Sequence, residues 1–251
     1  MLAKNIIINI IFLLSLTLIA GIWPLIERKY LSLIQRRVGP TFVGYKGRLQ
    51  FIADALKMFL KSCIIPVRFA TKSVLFYPAL VLSLIYLFWL NSYWSLNIIY
   101  LELEYNFIFL IILSSLLNFF IILTAMYSGN SYSTFAGLRA IVMVFCLELI
   151  LGLLFLNMYA YLNSFNISFA FILQSEYPIF FIFYGIYSLL IIVILMEINR
   201  SPFDLVEAEN ELIAGYHVEL GGFFFGLFYL AEYFHLFFFS LLVVTLMTGL
   251  I

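Results

Sequence analysis

Residues 141–161 read IVMVFCLELILGLLFLNMYAY, a run in which Glu148 is the only charged side chain. A helix needs about 20 apolar residues to cross a hydrocarbon layer, and this run supplies them. Only helices and closed barrels satisfy the backbone in lipid. Barrel strands alternate in polarity, which this run does not. Comparable stretches recur near 6–25, 74–94, 107–127, 179–196 and 223–251. The expected fold is therefore all-α: one polytopic membrane domain over 1–251, with about six transmembrane helices.

Composition agrees. Apolar residues make up 65% of the chain and charged residues 10%, whereas soluble domains carry roughly 25% charge. Too little charge is present to coat a globule in water, so apolar surface must face lipid. The net charge of zero gives no footprint for nucleic acid. Cys63 and Cys146 stand far apart, and His217 and His235 are the only histidines. The chain cannot assemble a four-ligand iron–sulfur site, a zinc finger or a bis-histidine haem by itself. Any redox centre belongs to a partner. Phe (29) and Tyr (17) outnumber Gly (13) and Pro (6), a bias towards AT-rich codons that points to an organelle's genome, with an AT-rich bacterium as the alternative.

The first stretch has only Lys4 before it and runs into Trp23-Pro24 without a cleavage site. It reads as a retained helix rather than a signal peptide. Ten of the thirteen Lys and Arg residues lie between Arg28 and Lys72, and Arg139 and Arg200 fall in later segments on the same side. By the positive-inside rule that side is the cytoplasm or mitochondrial matrix, with both termini opposite. Near 47–61, Leu49, Ile52, Ala53, Leu56 and Leu60 share one helical face and Gln50, Asp54, Lys57 and Lys61 another. This describes an amphipathic helix at the membrane surface.

Glu148 and Glu232 fall inside expected spans, and Glu197 at the end of one. A charge at the bilayer centre costs about 2.5–3.5 kcal/mol on insertion scales, so such groups face a wet cavity or a partner. One acid could be protonated or act as inert glue between helices; three in a chain this short favour function. The segment 197–219 adds Arg200, Asp204, Glu207, Glu209, Glu211 and Glu219, interrupted by Phe203, Leu205, Val206, Leu212 and Ile213. Burial and like charges raise carboxylate pKa values and couple their titrations, which suits a proton relay. A solvated charged loop is the plainer reading.

Together these residues resemble a known family. Glu27-Arg28-Lys29, Gln35-Arg36-Arg37-Val38-Gly39-Pro40, Val43-Gly44, Gln50, Ala53-Asp54 and Lys57 match the signature of the first membrane subunit of NADH:ubiquinone oxidoreductase, complex I. Glu197-Ile198-Asn199-Arg200-Ser201-Pro202-Phe203-Asp204-Leu205 is similar to the family's E-T-N-R-x-P-F-D-L. Glu207, Glu209, Glu211-Leu212, Glu219, Ala231-Glu232-Tyr233, Arg139 and Glu148 continue the match in register.

The resemblance implies a subunit of the H+-translocating NADH:ubiquinone reductase in the mitochondrial inner membrane (alternatively the bacterial plasma membrane). It would join the proton-pumping membrane arm to a peripheral arm whose subunits carry FMN and iron–sulfur clusters, and would contact small membrane-arm subunits. It implies a ubiquinone tunnel lined by Glu27, Arg28, Arg37, Asp54, Lys57, Arg200 and Phe203, with no cofactor bound by this chain. It implies a relay through Asp204, Glu207, Glu209, Glu211, Glu219, Glu197, Glu148 and Glu232. On that account Glu211→Gln or Asp204→Asn slows quinone reduction while assembly persists.

Several positions depart from the pattern: Ser62, Met143, Cys146, Leu147, Ala208, Asn210 and His217 replace the family's usual residues. Family members usually have eight spans, and the expectation here is a second polypeptide supplying the last two. Three other readings compete. A lone ion transporter would show an inverted repeat, and none is seen. The homologous subunit of an energy-converting hydrogenase would co-purify with a nickel–iron subunit. A structural anchor would tolerate loss of its acids.

Overall fold

The computed structural model describes residues 2–63, 72–90, 105–162, 184–206 and 209–248. Every regular element among them is helical. The helices are α1 (Leu2–Ile34), α2 (Gln50–Leu60), α3 (Tyr77–Leu90), α4 (Asn106–Tyr127), α5 (Ser131–Leu162), α6 (Tyr184–Glu197), the single turn α7 (Glu209–Leu212) and α8 (Gly222–Thr248). Four contain segments long and apolar enough to span a membrane: Ile10–Ile34, Asn106–Tyr127, Ser131–Asn157 and Gly222–Val244. The described parts of α3 and α6 are shorter apolar helices. The expected spans over 74–94, 179–196 and 223–251 each extend into residues outside the described set.

Two boundaries differ from the sequence reading. The first span was expected to end near residue 25, but α1 carries Pro24 inside it and continues to Ile34. An interior proline costs about 3 kcal/mol in water, yet membrane helices tolerate one because neighbouring groups satisfy the freed carbonyl. The real stop lies at Arg36, which adopts φ 53°. There the Arg37 N–H donates to the Ser32 carbonyl at 2.9 Å and the Arg36 N–H to Leu33 at 3.1 Å. That bond pair is a Schellman motif, and it leaves Glu27 and Arg28 on the helix. The second correction concerns Arg139, placed in a connecting segment by the sequence reading. It lies on α5, which begins at Ser131.

The turn after α1 depends on glycine. Gly47 has φ +70°, and a Cβ there would meet the Pro40 carbonyl oxygen at 2.1 Å. No other residue fits without moving the chain. Lys29 Nζ donates to the Lys46 carbonyl at 2.9 Å and ties this turn back to α1.

Helix α8 occupies the middle of the bundle and touches α1, α2, α3 and α6, while α4 lies between α3 and α5. Phe88, Phe107, Tyr187, Leu190, Phe228 and Phe234 are almost fully buried at these seams. Tyr187 donates its hydroxyl to the Leu246 carbonyl and pins α6 to α8. The outer faces stay apolar and exposed, as Leu138, Val142, Phe145, Leu149 and Leu153 show along α5. Helix α2 has no fully buried residue. It lies across α1 and α8, with Phe59 against Phe223 at a ring separation of 5.5 Å.

Candidate functional site: a cavity joined to a line of polar groups

A cavity of about 120 Å³ opens where α1, α2 and α8 meet. Its walls are largely apolar, including Pro24, Phe51, Met58 and Phe223, and its polar residues are Arg28, Asp54 and Tyr229. Arg28 Nη1 donates to Asp54 Oδ2 at 2.8 Å, while Gln50 Nε2 donates to Oδ1 at 2.9 Å. Position 54 lies one turn along α2 from Gln50, so the helix itself orients the carboxylate.

Tyr229 leads away from this cavity. Its hydroxyl lies 3.4 Å from that of Tyr233, one turn further along α8. Tyr233 donates to Glu27 Oε2 at 2.7 Å, Trp23 Nε1 donates to Oε1 at 3.0 Å, and Arg200 Nη1 lies 3.5 Å from Oε2. The Arg200 guanidinium also sits 4.9 Å from the centre of the Tyr233 ring, a cation–π arrangement. Burial opposes the charge of Arg200, but Tyr233, Glu27 and Glu232 outweigh it and raise the pKa above the ordinary value.

The chain reaches this point through a second helix stop. Asn199 has φ 52°, its N–H donates to the Met196 carbonyl at 3.1 Å, and the Arg200 N–H donates to Leu195 at 3.2 Å. This is again the Schellman pair, with asparagine in the left-handed position that it tolerates better than most residues. It ends α6 just past Glu197 and turns Arg200 towards Glu27. The sequence Glu197-Ile198-Asn199-Arg200 is thus a backbone device that separates a buried acid from a base.

Glu232, adjacent to Tyr233, accepts from the Tyr216 hydroxyl at 2.6 Å, and His217 Nε2 lies 3.1 Å from the same oxygen. Glu197 is 4% exposed and accepts from Asn118 Nδ2 at 2.8 Å. Glu197, Glu232, Asn118 and His235 all line one cavity of about 20 Å³. A smaller one, about 10 Å³, lies between Glu197 and α5, lined by Met143 and Leu147. Glu148 sits half-buried on α5 beyond it. Polar groups therefore run from the Arg28–Asp54 cavity through Tyr229, Tyr233, Glu27, Arg200 and Glu232 to Glu197.

The other expected site residues are more dispersed. Arg37 and Lys57 are exposed, while Phe203 is half-buried and donates its N–H to the Arg200 carbonyl at 2.8 Å. Asp204 is half-buried. Glu211 pairs with Arg139 at 2.6 Å, and Glu219 accepts from Asn130 Nδ2 at 2.8 Å. Glu207 lies outside the described residues, and of Glu209 only the backbone is described. Glu211 and Glu219 are thus held away from Arg200, which lies beside Glu27. Sequence reading gave no site role to Asn118, Trp23, Tyr229, Tyr216 or His235. Among the described residues, no three His, Cys, Asp or Glu side chains gather as metal ligands would.

Comparison with known proteins adds the following. A family model described as NADH dehydrogenase matches residues 6–250. The chain is similar to NADH-ubiquinone oxidoreductase chain 1 of Paramecium tetraurelia, 46% identical over 241 residues, covering 96% of this chain and 92% of that protein. It is also similar to the proteins of that name from Branchiostoma lanceolatum, 34% identical over 232 residues (92% and 74% covered), and Patiria pectinifera, 33% identical over 242 residues (96% and 73%).

Proposed function

The chain belongs to the NADH dehydrogenase family as a multi-pass membrane subunit of NADH:ubiquinone oxidoreductase, and from that premise we propose that it guides ubiquinone to its point of reduction and passes the resulting charge into the membrane as proton movement. The observation carrying this reading is continuity: one line of polar groups joins the Arg28–Asp54 cavity to Glu197 in the interior. Apolar walls suit an isoprenoid tail, and the ionisable end suits a carbonyl-bearing ring. Electrons arrive from FMN and iron–sulfur clusters on partner subunits of the peripheral arm. The setting is the mitochondrial inner membrane, with the basic turn after α1 on the matrix side.

Quinone reduction creates negative charge and takes up protons. In a low-dielectric interior that charge acts over several ångströms and shifts the balance among Glu27, Glu232, Glu197 and Glu148, the loop acids Asp204, Glu207, Glu209, Glu211 and Glu219 feeding the same line. Moving one charge against 100 mV costs about 2.3 kcal/mol, which two pKa shifts of one unit, at about 1.4 kcal/mol each, can supply.

The test is to replace Arg28 by Met and Asp54 by Asn in the assembled complex. Turnover with ubiquinone falls about tenfold, the rate equivalent of one charge-assisted hydrogen bond. NADH oxidation by a water-soluble acceptor, which bypasses this chain, stays unchanged. Equal loss with both acceptors, or none with ubiquinone, refutes the reading.

A further inference from the structure

We propose that the small cavity shared by α4, α6 and α8 binds one water molecule, held by Glu197 and His235, which hands a proton from Glu232 to Glu197. The inference rests on the relay reading above and names the carrier between two of its carboxylates.

Size comes first. The cavity is about 20 Å³, and a single water needs about 10–15 Å³. Chemistry comes second. Empty cavities in proteins are apolar, whereas a water site needs two to four polar partners. Asn118, Glu197, Glu232, Tyr216 and His235 all line this one. Glu197 Oε2 and His235 Nε2 are both buried with no hydrogen-bond partner among the described residues, each on a side chain only 4% exposed. A buried polar atom left unpaired is costly, and one water satisfies both.

Geometry comes third. Glu232 and His235 are three residues apart on α8 and share a face. The His235 ring meets Phe239 edge-on at 4.7 Å and Phe88 at 5.8 Å, so the aromatic neighbours fix its orientation. The wall from α3 is apolar, Val81 and Ile85. The titratable groups facing His235 are therefore Glu197, Glu232 and Tyr216, with His217 behind Glu232. The smaller cavity on the α5 side has less room and no histidine.

The transfer balances. The Glu232 carboxyl O–H breaks as its proton joins the water oxygen, and a different water O–H breaks as its proton joins Glu197 Oε2. The water is regenerated and one proton has moved. His235 is a positioning residue: its Nε2 holds the water and keeps no proton at the end.

Both chain histidines flank Glu232 in this way, His217 by direct contact and His235 across the cavity. The test uses the assembled complex and two substitutions. His235→Leu lowers NADH-driven ubiquinone reduction about tenfold, the rate equivalent of one net hydrogen bond, and His235→Asn, which still bonds water, restores most of it. A density map that shows ordered water elsewhere between helices shows one here, and loses it in His235→Leu. An empty cavity in the unsubstituted complex, full activity in His235→Leu, or equal loss in His235→Asn each overturns the proposal. Glu197→Gln and Glu232→Gln separate the layers. If both keep full activity, the relay reading fails; if both lose it while His235→Leu does not, only the water site fails.

Discussion

Glu197 and Glu211 lie fourteen positions apart in the densest run of acids in the chain, and the structure treats them oppositely. Glu197 is 4% exposed, ends an apolar helix and is held by the neutral amide of Asn118. Glu211 has a side chain 62% exposed and pairs with Arg139 at 2.6 Å. In the crowded loop Glu211 stays at the surface, while Asp204 and Glu219 are half-buried. Among the described acids, Glu197 alone is fully buried. Local density of charge is thus a poor guide to burial here; what places an acid inside is a helix that ends or passes among other helices, with a polar partner waiting.

Glu197→Gln is the sharpest way to break this contrast. Glutamine keeps an oxygen to accept from Asn118, so assembly is retained, but it carries no proton. Coupled ubiquinone reduction falls about a hundredfold, the low end of what a proton-transferring group contributes. Turnover per assembled complex measures this. Near-normal turnover would make Glu197 a structural polar group, and the contrast would be one of packing alone.

Asn199→Val tests how the buried acid comes to stand where it does. Asn199 sits at φ 52° and closes the helix stop that turns Arg200 towards Glu27. A β-branched residue in that conformation costs about 1–2 kcal/mol, so the complex loses thermal stability. Asn199→Gly, free of that strain, stays close to the unsubstituted chain. If valine and glycine behave alike, the left-handed turn is not what positions Arg200.

Much of this was legible beforehand, for physical reasons that differ by residue. The run behind Asn106–Tyr127 carries no charged residue, and length and hydropathy alone identify a helix. Glu148, Glu197 and Glu232 stood out because lipid rejects charge. Asn118 did not, because polar residues inside these helices are common and mostly satisfy themselves. Ser114 and Thr124 on the same helix bond the carbonyls of Ile111 and Ile121 at 2.9 and 2.6 Å. A hydroxyl can bond within its own turn; the Asn118 amide instead donates across to Glu197. An asparagine in the middle of an apolar run was the available signal. Tyr229 and Tyr233 were masked by the chain's aromatic richness, although their spacing with Glu232 marks one face of α8. The course of α1 past Pro24 was hidden because proline and three following charges imitate a helix end. Its true end, at Arg36, uses a residue type that seldom adopts that conformation.

Glu211→Gln gives the smallest expected effect on the fold and so sharpens the contrast from the other side. Its partner Arg139 is 41% exposed, and exposed ion pairs contribute about 0–1 kcal/mol. The pair links α5 to the single turn α7. Removing the charge therefore leaves the amount of assembled complex, read on a native gel, nearly unchanged. Any slowing of ubiquinone reduction then belongs to the charge itself, acting on the buried line from the surface, and it is smaller than that of Glu197→Gln because water screens it. If instead assembled complex and activity fall together, Glu211 is a clasp between α5 and the loop, and the loop acids would owe their presence to folding rather than to proton movement.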